Sequence, residues 1–300
     1  MIAPDPISLA LDVAEVWGVR LYAVPYVGIV ETVATHIFPI PTSLSTTTLT
    51  HLNSPQQSWC RMKTVYFIRH GVAVHNVRDP NTGQTPNPHD ERYTDPPLIR
   101  RGMIQASALG GKLRQMRLIS TDGDTSMRDF TEMESGNNCN TKQQIDLVVC
   151  SPLTRCLQTA SFVFPDFRLY CHGDIREAYG MHYTDRRSPL SQIKAKYPHV
   201  IYHQQSLSTE EDVDWQLHSR ETRDDVIRRI DNFLSWLIQQ PHESIAVVSH
   251  GVWIECAFMK YCPHVLEFGK KRVHNCDVYY ANLIYDEDRQ LALKNVEQIV

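Results

Sequence analysis

The segment Arg69-His70-Gly71 places a guanidinium and an imidazole side by side, and Asn76 follows shortly after it. Neutral imidazole is a competent covalent nucleophile, and a guanidinium can bind two phosphate oxygens at once. Gly71 has no side chain, which would let the backbone approach a ligand closely. Three residues can match a motif by chance. This segment is therefore evidence for a site only if matching segments occur elsewhere in the chain.

A second candidate segment runs from Ser151 to Thr159 and contains Arg155. Ser is a preferred N-cap residue and Pro a preferred first helical residue, so Ser151 and Pro152 predict that a helix begins here. Arg155 then lies in the first helical turn, where free backbone N–H groups and the helix dipole already favour an anion. The alternative is that Arg155 is a solvated residue on an amphipathic helix.

A third segment, Ser249-His250-Gly251, follows the short apolar run 246–248. A histidine at the end of a buried strand can donate a hydrogen bond to a phosphoryl oxygen. It can equally be a core or capping residue, and the chain contains 14 histidines. By itself, His250 is therefore weak evidence for a site.

The elements that could position these segments alternate between strands and helices. Short apolar runs predict strands at Thr64–Ile68, Ile145–Cys150, 168–171 and Ile245–Val248, with one or two more within 272–285. Apolar residues at helical spacing predict helices at 102–117 and 221–239, and further helices are expected at 189–197, where Pro198 ends the helix, and at 251–260. This alternation favours an α/β fold, a three-layer α/β/α sandwich with a mostly parallel central sheet. Ligands bind beyond the carboxyl ends of the strands in such sheets, and all three segments lie at such ends.

Taken in order, the three segments resemble those of the histidine phosphatase superfamily, branch 1, whose members are phosphoglycerate-mutase-like. The resemblance extends over about residues 62–285. Residues 95–106 are similar to the family's D-x-P-L-T-x-x-G-x-x-Q-A segment, except that Ile99 replaces the usual Thr and removes a supporting hydrogen bond. Residues 176–180 resemble the segment that carries the family's acid. The branch 2 pattern, R-H-G-x-R-x-P with a late H-D, is absent from the sequence.

This resemblance implies a role for each matching residue. It implies that His70 is the nucleophile, and that Glu177 protonates the leaving oxygen and then deprotonates the attacking water. It implies that the transferring phosphoryl group is bound by Arg69, Arg155 and His250, with Asn76 assisting. Asp174 is the second candidate for the acid. Phosphoryl transfer depends on positioning and charge stabilisation, so clustered cations can replace a metal ion, and we expect neither a metal nor a cofactor.

Residues near these motifs separate subgroups of the family. Cofactor-dependent phosphoglycerate mutases usually carry Glu-Ser after R-H-G, whereas this chain has Val72 and Ala73. The chain is more similar to the mutase-like phosphatases of fungi and plants, which tend to carry His-Asn at the place of residues 75–76. That group often has a basic pair after the acid, here Arg186 and Arg187, which would bind a second anionic group of the substrate. The alternative for this pair is a solvated loop.

The leading hypothesis is a phosphomonoester phosphatase that acts on a small phosphorylated substrate through a phosphohistidine on His70. A mutase that returns the phosphoryl group to a sugar acid is the nearest alternative. A non-catalytic binding protein on the same fold usually lacks the nucleophile or an arginine, and this chain keeps all of them. A metal hydrolase would need an H-E-x-x-H or H-x-x-E-H spacing, which does not occur in the sequence.

The composition of the chain indicates which binding partners and which cellular compartment to expect. The formal net charge of -4 indicates neither a nucleic-acid nor an anionic-membrane partner. The 8 cysteines form no C-x-x-C pair, and no signal peptide is evident, so we expect a reduced, cytoplasmic location. A hydrophobic fraction of 42% is ordinary for a globular protein and allows a large core.

Residues 1–61 differ in kind from the rest of the chain. They contain no Lys, two Arg and four acidic residues, which fits neither a transit peptide nor a secretory signal. The apolar stretch Leu21–Ile40 is interrupted by a proline, a glutamate and a histidine, so it does not predict a membrane span. We therefore expect an N-terminal extension, 1–61, ahead of a catalytic domain, 62–300, with a surface loop inserted at 119–144.

Overall fold

A computed structural model of the protein describes residues 62–120, 144–266 and 272–300. The strands in this part of the chain are β1 (Lys63–Arg69), β2 (Leu147–Cys150), β3 (Leu169–Cys171), β4 (Ile201–Tyr202), β5 (Ser244–Ser249), β6 (Val278–Tyr285) and β7 (Leu291–Gln298). They form one sheet in the order β4-β3-β2-β5-β1-β6-β7. The strands from β4 to β1 pair in parallel, whereas β6 pairs antiparallel with both β1 and β7.

Helices cover both faces of this sheet. They are α1 (Arg100–Gln115), α2 (Thr154–Val163), α3 (Leu190–Lys196), α4 (Arg223–Leu237) and α5 (Gly251–Tyr261). Successive side chains of a strand point to opposite faces. Tyr66 and Ile68 of β1 are buried with side chains of α1, α2 and α3, whereas Val65 and Phe67 are buried with those of α4 and α5. The structure confirms the predicted three-layer α/β/α sandwich with a mostly parallel sheet.

The register of the central strands brings the three candidate segments to one edge of the sheet. Arg69 at the end of β1 pairs with Ser249 at the end of β5. The backbone N–H of His70 donates to the Ser249 carbonyl oxygen at 3.0 Å, and that of Ser151 donates to the Val248 carbonyl oxygen at 3.1 Å. The carboxyl ends of β1, β2 and β5 are therefore neighbours, as a shared site requires.

The N-terminus of α2 differs from the prediction. The helix begins at Thr154 rather than Pro152, and its N-cap residue, Leu153, makes no side-chain cap. A carboxylate from another segment takes this role. Oδ1 of Asp95 accepts from the Thr154 N–H at 2.7 Å, and its Oδ2 accepts from the Thr154 hydroxyl at 2.8 Å. The prediction that Ser151 caps this helix is therefore wrong, because a residue distant in sequence supplies the cap.

The C-terminal strands also differ from the prediction. One strand, β6, lies within the predicted segment 272–285, and β7 follows beyond that segment. In β7 only Leu293 is buried, while Lys294 and Glu297 are exposed. An edge strand of this kind lacks the continuous apolar run that marks a buried strand, so its sequence does not reveal it.

Two predictions concern segments that the structure leaves undescribed. The extension, 1–61, and most of the insertion, 119–144, lie outside the described residues. The residues that flank the insertion are hydrogen-bonded to each other, since the backbone N–H of Ile145 donates to the Leu118 carbonyl oxygen at 2.9 Å. Among the described helices, none combines the length and the apolar composition needed to cross a bilayer.

Candidate active site

His70 directly follows β1, and only 1% of its surface is exposed. Its Nδ1 atom lies 2.7 Å from the carbonyl oxygen of Gly71. Because a carbonyl oxygen can only accept, Nδ1 carries the proton and the lone pair of the neutral ring is on Nε2. Burial, followed by the charges of Arg155 and Arg69, holds the pKa of His70 well below 6.5. The ring is therefore neutral near pH 7 and can attack an electrophile through Nε2.

Two guanidiniums act on this ring, and each keeps a buried N–H without a partner. Nη1 of Arg69 donates to the Val273 carbonyl oxygen at 2.6 Å. In Arg155, Nη1 donates to the Thr184 carbonyl oxygen at 2.7 Å and Nη2 donates to Oδ1 of Asp185 at 3.0 Å. Among the described residues, neither Nε atom has a hydrogen-bond partner, although both are buried. Both arginines are thus held in place with an N–H still available to an anion.

His250 follows β5 and is the N-cap residue of α5, and its ring centroid lies 5.2 Å from that of His70. Its Nε2 lies 2.8 Å from Oγ of Ser151 and 3.3 Å from Sγ of Cys156. Burial, followed by the Arg155 charge, holds the pKa of His250 well below 6.5, so this ring is also neutral. Its Nδ1 lies 3.9 Å from the same Sγ.

Glu177 lies in the field of the same two guanidiniums. Its Oε1 accepts from the backbone N–H of the next residue at 3.0 Å, and its Oε2 accepts from the Val252 N–H at 3.4 Å. Burial, followed by the Asp185 charge, raises the pKa of Glu177, while the charges of Arg155 and Arg69 act against this rise. The carboxyl is therefore shifted towards the protonated form that a general acid requires.

Asp174, the second candidate for the acid, faces a different set of charges. Burial raises its pKa as well, but the groups that act against this rise are Arg229, His203 and Arg176. Neither of the guanidiniums beside the predicted nucleophile is among them. The electrostatic neighbourhood therefore separates Asp174 from the predicted phosphoryl-binding residues.

Asn76 and Asn275 hold the backbone beside the His70 ring. Oδ1 of Asn76 accepts from the Ala73 N–H at 3.1 Å and lies 3.5 Å from Nδ2 of Asn275. The same Nδ2 donates to the His70 carbonyl oxygen at 2.9 Å, across a sequence separation of 205 residues. Asn76 is thus left with its Nδ2 to offer a ligand. Sequence reasoning missed Asn275, because it belongs to no motif and lies near the other end of the domain.

Side chains from α1 and α2 hold the loop that follows the nucleophile. The Gly71 N–H donates to Oγ1 of Thr159 at 3.0 Å, and the Thr159 hydroxyl donates to the Arg155 carbonyl oxygen at 2.7 Å. The Val72 N–H donates to Oε1 of Gln105 at 3.2 Å. Thr159 lies one helical turn after Arg155 and therefore on the same face, a spacing that could have identified it.

Gly71 is required for a close contact between two chain segments. A Cβ atom at Gly71 would lie 2.7 Å from the Gly102 carbonyl oxygen, and one at Gly102 would lie 2.0 Å from the Val72 carbonyl oxygen. Helix α1 begins at this contact, and its N-cap residue Ile99 makes no side-chain cap. A side chain on either glycine would therefore force the nucleophile loop away from α1.

Arg186 and Arg187 differ in what they can bind. Arg187 is 3% exposed, and its guanidinium donates to the backbone carbonyl oxygens of Ser188, Thr209, Glu210 and Glu211. These contacts hold a loop of the protein itself and argue against the predicted binding of substrate by Arg187. Arg186 is half-buried, and its guanidinium carbon lies 5.2 Å from the Trp215 ring centroid. Of the two, Arg186 is the better placed to bind a second anionic group, and its role stays a prediction.

His75 is a further residue of the site to which the sequence gave no role. Its ring centroid lies 5.8 Å from that of His70. Its Nδ1 is buried and has no partner among the described residues. Burial, followed by the charges of Arg155 and Arg69, lowers the pKa of His75 to about 2. A third neutral imidazole therefore lies beside the predicted nucleophile.

The charges that the site offers to an anion are those of Arg69 and Arg155. Within the described part of the chain, no three His, Cys, Asp or Glu side chains are grouped as a metal site would need. The expectation that the protein needs neither a metal nor a cofactor stays a prediction.

The chain matches the family model of the histidine phosphatase superfamily (branch 1) over residues 136–296, more than half of its length. The protein therefore belongs to this family, as its motifs predicted. The matched range contains Arg155, Glu177 and His250 but begins after His70. The assignment of the nucleophile consequently depends on the Arg-His-Gly segment and on the geometry of the site.

Curated relatives come from a plant and a fungus. The chain is similar to phosphoglycerate mutase-like protein 1 of Arabidopsis thaliana, with 26% identity over 221 residues that cover 64% of this chain and 69% of the relative. It is similar to a probable phosphoglycerate mutase of Arthroderma benhamiae, with 25% identity over 209 residues that cover 67% and 58% of the two chains. These relatives confirm the predicted similarity to mutase-like proteins of plants and fungi.

Solved structures show similarity at a lower level. A mycobacterial glucosyl-3-phosphoglycerate phosphatase aligns with a TM-score of 0.43 and 16% identity, over 79% of this chain and 97% of that protein. Phosphoserine phosphatase of Entamoeba histolytica aligns with a TM-score of 0.41 and 15% identity, over 79% and 98% of the two chains.

Proposed function

We propose that the protein is a phosphomonoester phosphatase that transfers the phosphoryl group of its substrate to Nε2 of His70 and then to water. The observation that carries this proposal is a set of buried nitrogen atoms near His70 that have no partner among the described residues. They are Nε of Arg69, Nε of Arg155 and Nδ1 of His75. A buried polar group without a partner costs about 1–3 kcal/mol. Their concentration in one place favours a site built for an anion with several oxygen atoms.

In the first step, the lone pair on Nε2 of His70 attacks phosphorus, and the bond between phosphorus and the leaving oxygen breaks. Glu177 gives its proton to that oxygen, and an alcohol departs. The guanidiniums of Arg69 and Arg155 stabilise the negative charge of the transferring group. The hydrogen bond from Nδ1 to the Gly71 carbonyl oxygen stabilises the positive charge that the ring acquires.

In the second step, a water molecule attacks phosphorus, and the bond between phosphorus and Nε2 breaks with its electron pair returning to the ring. The Glu177 carboxylate takes a proton from this water. The products are the alcohol and inorganic phosphate, and both side chains return to their starting protonation states. The cycle needs no co-reactant other than water.

A mutase is the second candidate function, because the plant and fungal relatives carry the name phosphoglycerate mutase. We favour hydrolysis, because Val72 and Ala73 occupy the positions where the family's mutases usually carry Glu-Ser. We further propose a small phosphorylated substrate, a cytoplasmic location, and neither nucleic acid nor membrane as a partner. Incubation with a phosphoglycerate separates the two functions, since a phosphatase releases inorganic phosphate and a mutase yields the isomer.

The phosphohistidine is tested by quenching the protein during turnover of a radioactively phosphorylated substrate. We expect a label that is labile to acid and stable to base, turnover that survives EDTA, and loss of both label and turnover in His70→Ala. His264→Ala is the matched control, because His264 is exposed and lies beyond the end of α5 opposite His250. Normal turnover in His70→Ala would overturn the mechanism, and a wild-type protein without label or turnover would favour a binding protein.

A further inference from the structure

The turn that follows the nucleophile carries His75 into the site. A short 3₁₀ helix, Val74–Asn76, forms this turn. The Val74 N–H donates to the Pro97 carbonyl oxygen at 3.1 Å, and the Asn76 side chain accepts from the backbone that precedes the turn. These contacts anchor the backbone of the turn, and the His75 ring centroid lies 5.8 Å from that of the His70 ring.

Nδ1 of His75 is buried and has no hydrogen-bond partner among the described residues. Buried polar atoms normally have a partner, so an unpartnered one beside a reacting group indicates a ligand. Nε of Arg69 and Nε of Arg155 are likewise buried and without a partner among the described residues. The charges of both guanidiniums act on His75. The three atoms therefore belong to one neighbourhood around His70.

The charged and titratable groups that face His75 come from three elements. The charges are those of Arg69 at the end of β1 and Arg155 on α2, and the titratable rings of His70 and His250, both neutral, also face His75. Burial and the two guanidiniums lower the pKa of His75 to about 2, so its ring stays neutral near pH 7. A neutral imidazole has one N–H donor and one acceptor nitrogen. It can therefore add a hydrogen bond to a bound anion without adding a third positive charge.

We propose that neutral His75 is a further substrate-binding residue, whose Nδ1–H donates a hydrogen bond to an oxygen of the transferring phosphoryl group. This inference rests on the proposed phosphatase function and deepens it, because the motifs assign no such donor. The phosphoryl group would then be bound by two guanidiniums and a neutral imidazole on the side of the Val74–Asn76 turn.

The test is isothermal titration calorimetry of the full chain with inorganic phosphate. His75→Phe keeps a planar ring and removes both nitrogens, and we expect it to raise the Kd for phosphate by about 10- to 100-fold. His75→Asn places an amide N–H near the position of Nδ1 and should bind phosphate within about threefold of the wild type. His264→Phe is the control for the loss of an exposed histidine and should leave the Kd unchanged.

Equal phosphate affinity in His75→Phe and in the wild type would overturn the inference. Failure of His75→Asn to restore binding would do so as well, because a purely structural role predicts no recovery by an amide donor. Recovery by His75→Gln alone would place the donor on Nε2 and contradict the assignment to Nδ1. The proposed function can fail separately, since labelling of His70 is measured during turnover and phosphate affinity is measured without it.

Discussion

Arg155 and Asp185 form a buried ion pair, in which Nη2 of Arg155 lies 3.0 Å from Oδ1 of Asp185. The side chains are 0% and 6% exposed, and the second oxygen of Asp185 lies 3.2 Å from Nη1 of Arg220. The pair therefore orients the guanidinium that we propose to bind the phosphoryl group. Removal of the Asp185 carboxylate would therefore leave the buried Arg155 charge without its counter-ion.

Asp185→Asn should lower the free energy of unfolding by about 3–5 kcal/mol, because it leaves the buried Arg155 charge without its counter-ion. Urea denaturation measures this change. Arg220→Gln removes the more exposed partner of the same carboxylate and should cost at most about 1 kcal/mol. Equal stability of Asp185→Asn and the wild type would show that the pair does not hold Arg155.

Glu177→Gln should reduce kcat/KM far more for an alkyl phosphate than for an aryl phosphate with an acidic phenol. The alkyl leaving group needs a proton in the transition state, and a general acid is typically worth about 10²–10⁴-fold. Comparison of kcat/KM isolates the step in which the leaving group departs. Asp174→Asn is the matched control and should slow both substrates equally or not at all. Equal losses for both substrates in Glu177→Gln would rule out its role as the acid.

The pH profile of kcat/KM should fall on the alkaline side through the pKa of Glu177. Burial raises this pKa above 4.5, so the protonated acid persists to a higher pH than in an ordinary glutamate and is lost as the pH rises further. The pKa of His70 lies well below 6.5, so protonation of the nucleophile should cause no loss of activity at the pH where an ordinary histidine becomes protonated. In Glu177→Gln the alkaline limb should disappear. An unchanged limb would assign it to another group, such as the substrate.

Arg187→Ala should mainly lower stability, whereas Arg186→Ala should mainly weaken substrate binding. Arg187→Ala removes the partners of several backbone carbonyl oxygens and should destabilise the fold by about 1–3 kcal/mol, with little change in KM. Arg186→Ala should alter stability by less than about 0.5 kcal/mol and raise KM for substrates with a second anionic group. Thermal melting and a panel of phosphorylated acids and alcohols measure both. A KM effect confined to Arg187→Ala would reverse the assignment.

A protein comprising residues 62–300 should fold and keep its activity. Lys63 begins β1, and termini that are not tied into a core usually tolerate removal. The melting temperature and turnover of this shorter protein are compared with those of the full chain under the same conditions. Aggregation of the shorter protein, or a melting temperature lower by many degrees, would show that residues 1–61 contribute to the fold.

The sequence alone determined the elements that have a strong local signal. The apolar runs of β1, β2 and β5 identify buried parallel strands, because both faces of such strands are covered. Helix α4 was found in the same way, since Val226, Ile230 and Phe233 recur on one face and are buried. The order of the three motifs then identified the family, and the strand ends predicted that the motifs meet at one edge.

Tertiary structure alone decided which partner each polar side chain has. Arg187 has the same donors as Arg155. The fold places backbone carbonyl oxygens around Arg187, whereas Nε of Arg155 has no partner among the described residues. The cap supplied by Asp95 and the contact from Asn275 to His70 likewise join distant parts of the chain. Periodicity and motif spacing report on neighbours along the chain. Hydrogen bonds between distant segments exist only after those segments have packed together.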